Sequence, residues 1–197
     1  MELEKLYEGK TPAQKEVIDY FCKEGCGCLS KILTDDEYMA RVRAKCDSLK
    51  FKEKAICKIG LDEDEIREIP PVMFEGFVYK DAFAKQRANG AWVSSSYQVS
   101  WLFFSATQVY LYSYTFHMDD DKKTERTDEY FYKDVTSFST SSETETARGR
   151  DDKKINVETN KFAMRVGGEP FYMSMEGVSN AEEIIQGMKQ KLREKKQ

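Results

Sequence analysis

Apolar side chains recur every third or fourth position up to Ile69 and every second position from Val72 onward, so the chain changes period once. In the first stretch, Thr11-Pro12 reads as an N-cap followed by proline at the first helical position, where its missing N–H costs nothing. Val17, Ile18, Phe21 and Cys22, then Leu29, Ile32 and Leu33, keep one helical face. Gly25 and Gly27 interrupt it, either as a break or as room for a close neighbour. Thr34-Asp35-Asp36-Glu37 is a capping box opening a second helix with Tyr38, Met39, Val42 and Cys46 on one face. Phe51, Ala55, Ile56 and Ile59 mark a shorter helix ended by Gly60. Asp62–Glu65 suits one helical turn, and Ile69-Pro70-Pro71 stops any helix.

The period of two predicts strands at Val72–Tyr79, Tyr97–Phe104, Gln108–His117, Thr127–Tyr132, Val135–Thr144, Ile155–Val166 and Phe171–Met175. Asp119–Lys123 is a polar turn, Ala147–Lys154 a charged loop, and Gly167–Pro170 a tight turn. Ser179-Asn180-Ala181-Glu182 is a further capping box, opening a helix with Ala181, Ile184, Ile185, Met188 and Leu192 on one face.

The hairpin Ser96–Phe116 stands out because it is bulky on both faces. Tyr110, Tyr112, Tyr114 and Phe116 point one way and Val109 and Leu111 the other. Tyr97, Val99, Trp101 and Phe103 alternate with Leu102 and Phe104. A sheet with one wet face shows polar alternates instead. The outer face therefore needs a cover, and residues 1–70 are the cover expected, with an exposed association patch as the alternative.

Composition narrows the classes. In a chain of 197 residues, 40% hydrophobic and 13% aromatic residues supply a core, so wholesale disorder is excluded. A net charge of −4, with no cationic excess in either half, argues against nucleic acid as the main partner. The charged N-terminus has no apolar signal-like region and no apolar run is long enough for a bilayer, so a cytoplasmic location is expected. Five cysteines, all before Ile59, suit reduced thiols better than a disulfide framework.

Two local stretches carry a family resemblance. Leu102–Tyr110 (Leu-Phe-Phe-Ser-Ala-Thr-Gln-Val-Tyr) looks like the second-to-third strand junction of bacterial pleckstrin-homology-like and GRAM-like domains. Glu129–Phe138, with Tyr132-x-Asp134-Val135-Thr136-Ser137, is similar to the element that turns their chain from one sheet to the other. Seven strands and a closing helix over Met73–Leu192 resemble the same superfold. The resemblance implies an α+β chain: an N-terminal short-helix segment (1–70), then a PH-like seven-stranded β-barrel or sandwich capped by a C-terminal helix (71–197). It implies no activity, because most such domains have none assigned.

Three groups of residues are candidates for chemistry. In phosphoinositide-binding members of that superfold, the loop after the first strand carries a lysine and then a basic-x-basic end. Lys80, Lys85 and Arg87 match this spacing, and clustered cations there would hold phosphates by charge-assisted bonds. The plainer reading is solvated loop charge. Cys22, Cys26 and Cys28 are the metal candidates, since thiolates at such spacing hold zinc or cluster iron. Buried or free thiols are the plainer reading. His117, the only histidine, is expected at an exposed strand end, and Asp119-x-Asp121 lacks the rest of a calcium loop.

No catalytic triad or carboxylate pair is legible. The expectation is a non-enzymatic binding or scaffolding module with no cofactor, acting on a protein partner or by self-association. The alternatives are binding of a membrane surface or phosphorylated ligand through Lys80, Lys85 and Arg87, and a thiol- or metal-linked sensor.

Overall fold

The computed structural model describes residues 3–23, 32–62, 64, 70–175 and 180–195. The helical stretch holds α1 (Leu3–Tyr7), α2 (Pro12–Cys22), α3 (Asp35–Leu49) and α4 (Phe51–Ile59). Thr11 and Thr34 both close full capping boxes, with Gln14 and Glu37 returning the bond to the cap backbone. Gly60, at φ 75°, ends α4 in the left-handed conformation that glycine takes without a steric penalty. α1 has no counterpart in the sequence reading. The Asp62–Glu65 turn and the capping Ser179 fall partly or wholly outside the described residues.

The strands are β1 (Val72–Val78), β2 (Ala84–Gln86), β3 (Trp92–Ser94), β4 (Ser96–Phe104), β5 (Gln108–His117), β6 (Lys123–Phe131), β7 (Val135–Arg148), β8 (Lys154–Val166) and β9 (Glu169–Ser174), followed by α5 (Ala181–Lys195). They form three antiparallel sheets: β1-β4-β5-β6, β7-β8-β9 and the small β2-β3 hairpin. The chain is thus α+β, but the expected barrel is not closed. Among the described residues β6 pairs with β5 alone, and β7 pairs along its length with β8 and bridges Phe83 at Arg148, so the two large sheets face each other without a continuous ladder.

The segment Tyr132–Val135 makes the passage between these sheets. Asp134 N–H bonds Phe131 O at 2.9 Å, and the buried Tyr132 donates its hydroxyl to Ser105 O at 2.9 Å. A tyrosine there fills the corner and also satisfies a turn carbonyl.

Three apolar clusters hold the molecule. The first lies between the large sheets, where Phe74, Leu102, Phe104 and Phe162 meet Ile185, Met188 and Leu192 of α5. The second joins α2 and α3 to the small hairpin and the far end of β8, through Tyr20, Phe21, Tyr38, Phe83, Val93 and Val157. The third sets Phe51, Ala55 and Leu61 against Val99, Phe103, Tyr110, Tyr112, Tyr114 and Phe116. The outer aromatic face is therefore covered from within the chain, by α4. Lys54 sits over the Tyr114 ring at 4.4 Å, and Lys54 and Lys58 pair with Glu125 of β6 at 3.3 and 2.7 Å. Among the described residues no helix is long and apolar enough to cross a membrane.

Candidate functional site

β2 and β3 decide where the candidate residues stand. Ala88-Asn89-Gly90 is a three-residue hairpin loop, in which Gly90 N–H bonds Arg87 O at 2.9 Å and Gly90 takes the left-handed φ of 85° that such a loop requires. Gln86 pairs with Trp92, and Arg87 N–H closes the turn on Ala91 O at 2.8 Å. The segment expected as an open loop after the first strand is thus partly sheet, and it stands against α2 and α3.

That placement gives Lys85 and Arg87 partners. Lys85 Nζ lies 3.6 Å from the Tyr20 ring centroid and 3.6 Å from Asp35. Arg87 reaches Asp36 at 3.3 Å and Asp35 at 3.8 Å, and its buried Nε has no hydrogen bond among the described residues. Asp35 also accepts from the Tyr20 hydroxyl at 2.8 Å and from Ala88 N–H at 3.2 Å. Burial raises the Asp35 pKa, but these bonds and the two cations outweigh it and hold the carboxyl below its ordinary value. The positive loop is therefore already matched by carboxylates at the start of α3.

Lys80 is not part of this group of contacts. It is exposed and borders a recess of about 620 Å³ with Glu143, Glu145 and Lys161. In that recess Lys161 pairs with Glu143 at 3.0 Å and Glu145 at 2.6 Å, and Glu145 also accepts from the Tyr79 and Lys80 backbone N–H groups at 2.8 and 3.2 Å. Lys161, Glu143 and Glu145 thus hold β7 and β8 to the end of β1.

Of the cysteine candidates, Cys26 and Cys28 lie outside the described residues. Cys22 is buried on the apolar face of α2, and burial pushes its thiol up to about 11, which disfavours the thiolate that binds metal. Burial pushes half-buried Cys46 up to about 12. Among the described residues no three metal-ligating side chains come together. His117 is not the exposed strand end expected. It is half-buried with Nδ1 3.9 Å from buried Asp119, its carbonyl accepts from Lys45 at 2.8 Å, and burial lowers its pKa although Asp119 works the other way.

The arrangement that sequence reading missed lies on the other side of the small hairpin. A cleft of about 400 Å³ opens between β1, the hairpin, the start of β4 and β8, with Phe77, Tyr79, Trp92, Tyr97 and Glu158 in its walls. Three of these groups are engaged inside the protein. Tyr79 donates to Trp92 O at 3.1 Å, and the Phe77 and Tyr97 rings meet edge-on at 5.1 Å. The half-buried Trp92 indole has no ring or cation stacked on it among the described residues. The exposed Glu158 carboxylate has no ion pair or hydrogen bond among them. Arg87, the cation bordering the cleft, is held by Asp35 and Asp36. Asn89-Gly90 was the sequence signal that would have found this site, because it folds Trp92 back toward β1.

Comparison with protein-family models, with curated proteins and with solved structures finds no match to this chain.

Proposed function

We propose that this chain is a non-enzymatic binding module on a PH-like framework, and that it engages a protein partner at the cleft beside Trp92. The single observation that carries this reading is that Trp92 and Glu158 in the cleft have no ring, cation or ion-pair partner among the described residues, while Phe77, Tyr79 and Tyr97 beside them are engaged inside the protein. Pockets of a few hundred Å³ lined by aromatics with a few placed polar groups are where proteins hold ligand side chains. Supporting the framework, β1, β4, β5 and β6 form one sheet and β7, β8 and β9 the other, with α5 in the core between them. The β2-β3 hairpin is then an insertion between the first two framework strands.

The anion-binding alternative has less support. An incoming phosphate at Lys85 and Arg87 would have to displace Asp35 and Asp36, both placed by the first turn of α3.

The test is a photo-crosslinking amino acid at exposed Ala91, in the full chain in its host cell, with exposed Glu53 on α4 as the control position. A discrete protein adduct from position 91, absent from position 53 and lost on Trp92→Ala, is expected. Equal adducts from both positions, or none from position 91, would overturn the reading.

A further inference from the structure

We infer that the cleft receives a basic side chain, arginine or lysine, from a segment of the partner protein. The inference deepens the proposed function and rests on the cleft being the docking surface. It starts from charge. Glu158, the carboxylate in the wall, has no counterion among the described residues, while Arg87 pairs with Asp35 and Asp36 at 3.8 and 3.3 Å. An anionic ligand would meet Glu158 uncompensated, and a neutral aromatic would desolvate it without return. A long cationic side chain in the cleft would suit both, pairing with Glu158 and lying on the face of Trp92, the strongest of the aromatic cation acceptors.

The protein uses the same pairing repeatedly for its own contacts, which shows how such groups settle when a cation is within reach. Lys85 lies over Tyr20 beside Asp35, Lys54 over Tyr114 beside Glu125, and Lys161 near Tyr172 beside Glu143. Trp92 with Glu158 offers a ring and a carboxylate in one cleft without the cation. The cleft is about 400 Å³, room for a long side chain and part of its backbone rather than for a folded element. The whole chain carries −4, which favours approach of a basic segment from a distance.

The test is a ¹⁵N–¹H titration of the full chain, following the Trp92 indole N–H, assigned by its loss in Trp92→Phe. The probes are N-acetyl-arginine amide, a neutral-capped Gly-Gly-Arg-Gly-Gly peptide, choline, and a capped peptide with glutamate in place of arginine. Saturable shifts with the arginine amide and tighter binding of the arginine peptide are expected, with roughly fivefold or greater weakening in Glu158→Gln. Glu158 is exposed, so that variant folds as the parent does. Binding of choline as tight as the arginine peptide would assign the cleft to a free organic cation and overturn the proposal. So would binding of the glutamate peptide, no saturable shift with either arginine probe, or arginine binding unchanged in Glu158→Gln. A crosslinked partner at position 91 together with a failed titration would leave the docking surface standing and remove only the basic side chain.

Discussion

Tyr38 places a hydroxyl in a fully buried position and donates it to Ser94 O at 2.5 Å, tying α3 to the strand end between β3 and β4. Burial raises its pKa well above the usual phenol value, so the hydroxyl stays protonated and donating at any physiological pH. Tyr38→Phe leaves a buried carbonyl short of a donor and is expected to cost about 1–2 kcal/mol, read from urea unfolding. Glu125 gives a pH signature. Burial raises its pKa, but bonds from Lys58, Tyr112 and Lys54 outweigh this and lower it below 4.5. A carboxyl whose folded pKa is depressed stabilises the fold above its unfolded pKa and loses that contribution as pH falls through the folded one. Glu125→Gln is therefore expected to lose about 1 kcal/mol at pH 7, and the difference from the parent should shrink as pH falls below 4.5. At this scale the sequence was half legible. The alternation in β4 and β5 assigned each aromatic to its face, because period two leaves no choice of side. The engagement of Lys85 and Arg87 by Asp35 and Asp36 was not legible, since about fifty residues of chain separate the partners and no periodicity relates them.

Among elements, α4 carries the largest consequence. Phe51 is nearly fully buried, with its ring 5.3 Å from Tyr114 and 6.3 Å from Phe116. Phe51→Ala is expected to cost about 3–5 kcal/mol and to increase binding of an apolar dye, because the cavity opens on the aromatic face. The cap of α3 is a smaller lever. Thr34→Ala removes the bond from Glu37 N–H and is expected to cost about 1 kcal/mol in thermal unfolding. The helices α2 to α5 and the long strands other than β6 were readable because each buries an apolar face, whereas β6 has no buried residue. The ends were not. β7 runs four residues past Thr144 to Arg148, where Glu145-Thr146-Ala147-Arg148 carries no alternating apolar face and the ladder with β8 supplies its hydrogen bonds. The three-residue strands β2 and β3 have no room to show a period, and only Asn89-Gly90 marks them.

In the whole molecule, two of the three apolar clusters draw on both sides of the Pro70-Pro71 junction, so the helices form a second layer on the sheets rather than an appendage. That layer leaves the cleft open while α4 closes the tyrosine face of β5 and α3 closes the cationic edge of the small hairpin. The need for a cover was legible from two-sided bulk alone, whereas the identity of the helix that provides it depended on how α3 and α4 hinge at Lys50, which takes φ 44°. The most direct measurement is sedimentation of residues 71–197 against the full chain under matched conditions. The packed second layer predicts that the truncated chain associates or precipitates and binds an apolar dye strongly, through exposed Tyr110, Tyr112, Tyr114 and Phe116. A soluble, monomeric truncation that unfolds with the stability of the full chain would contradict it.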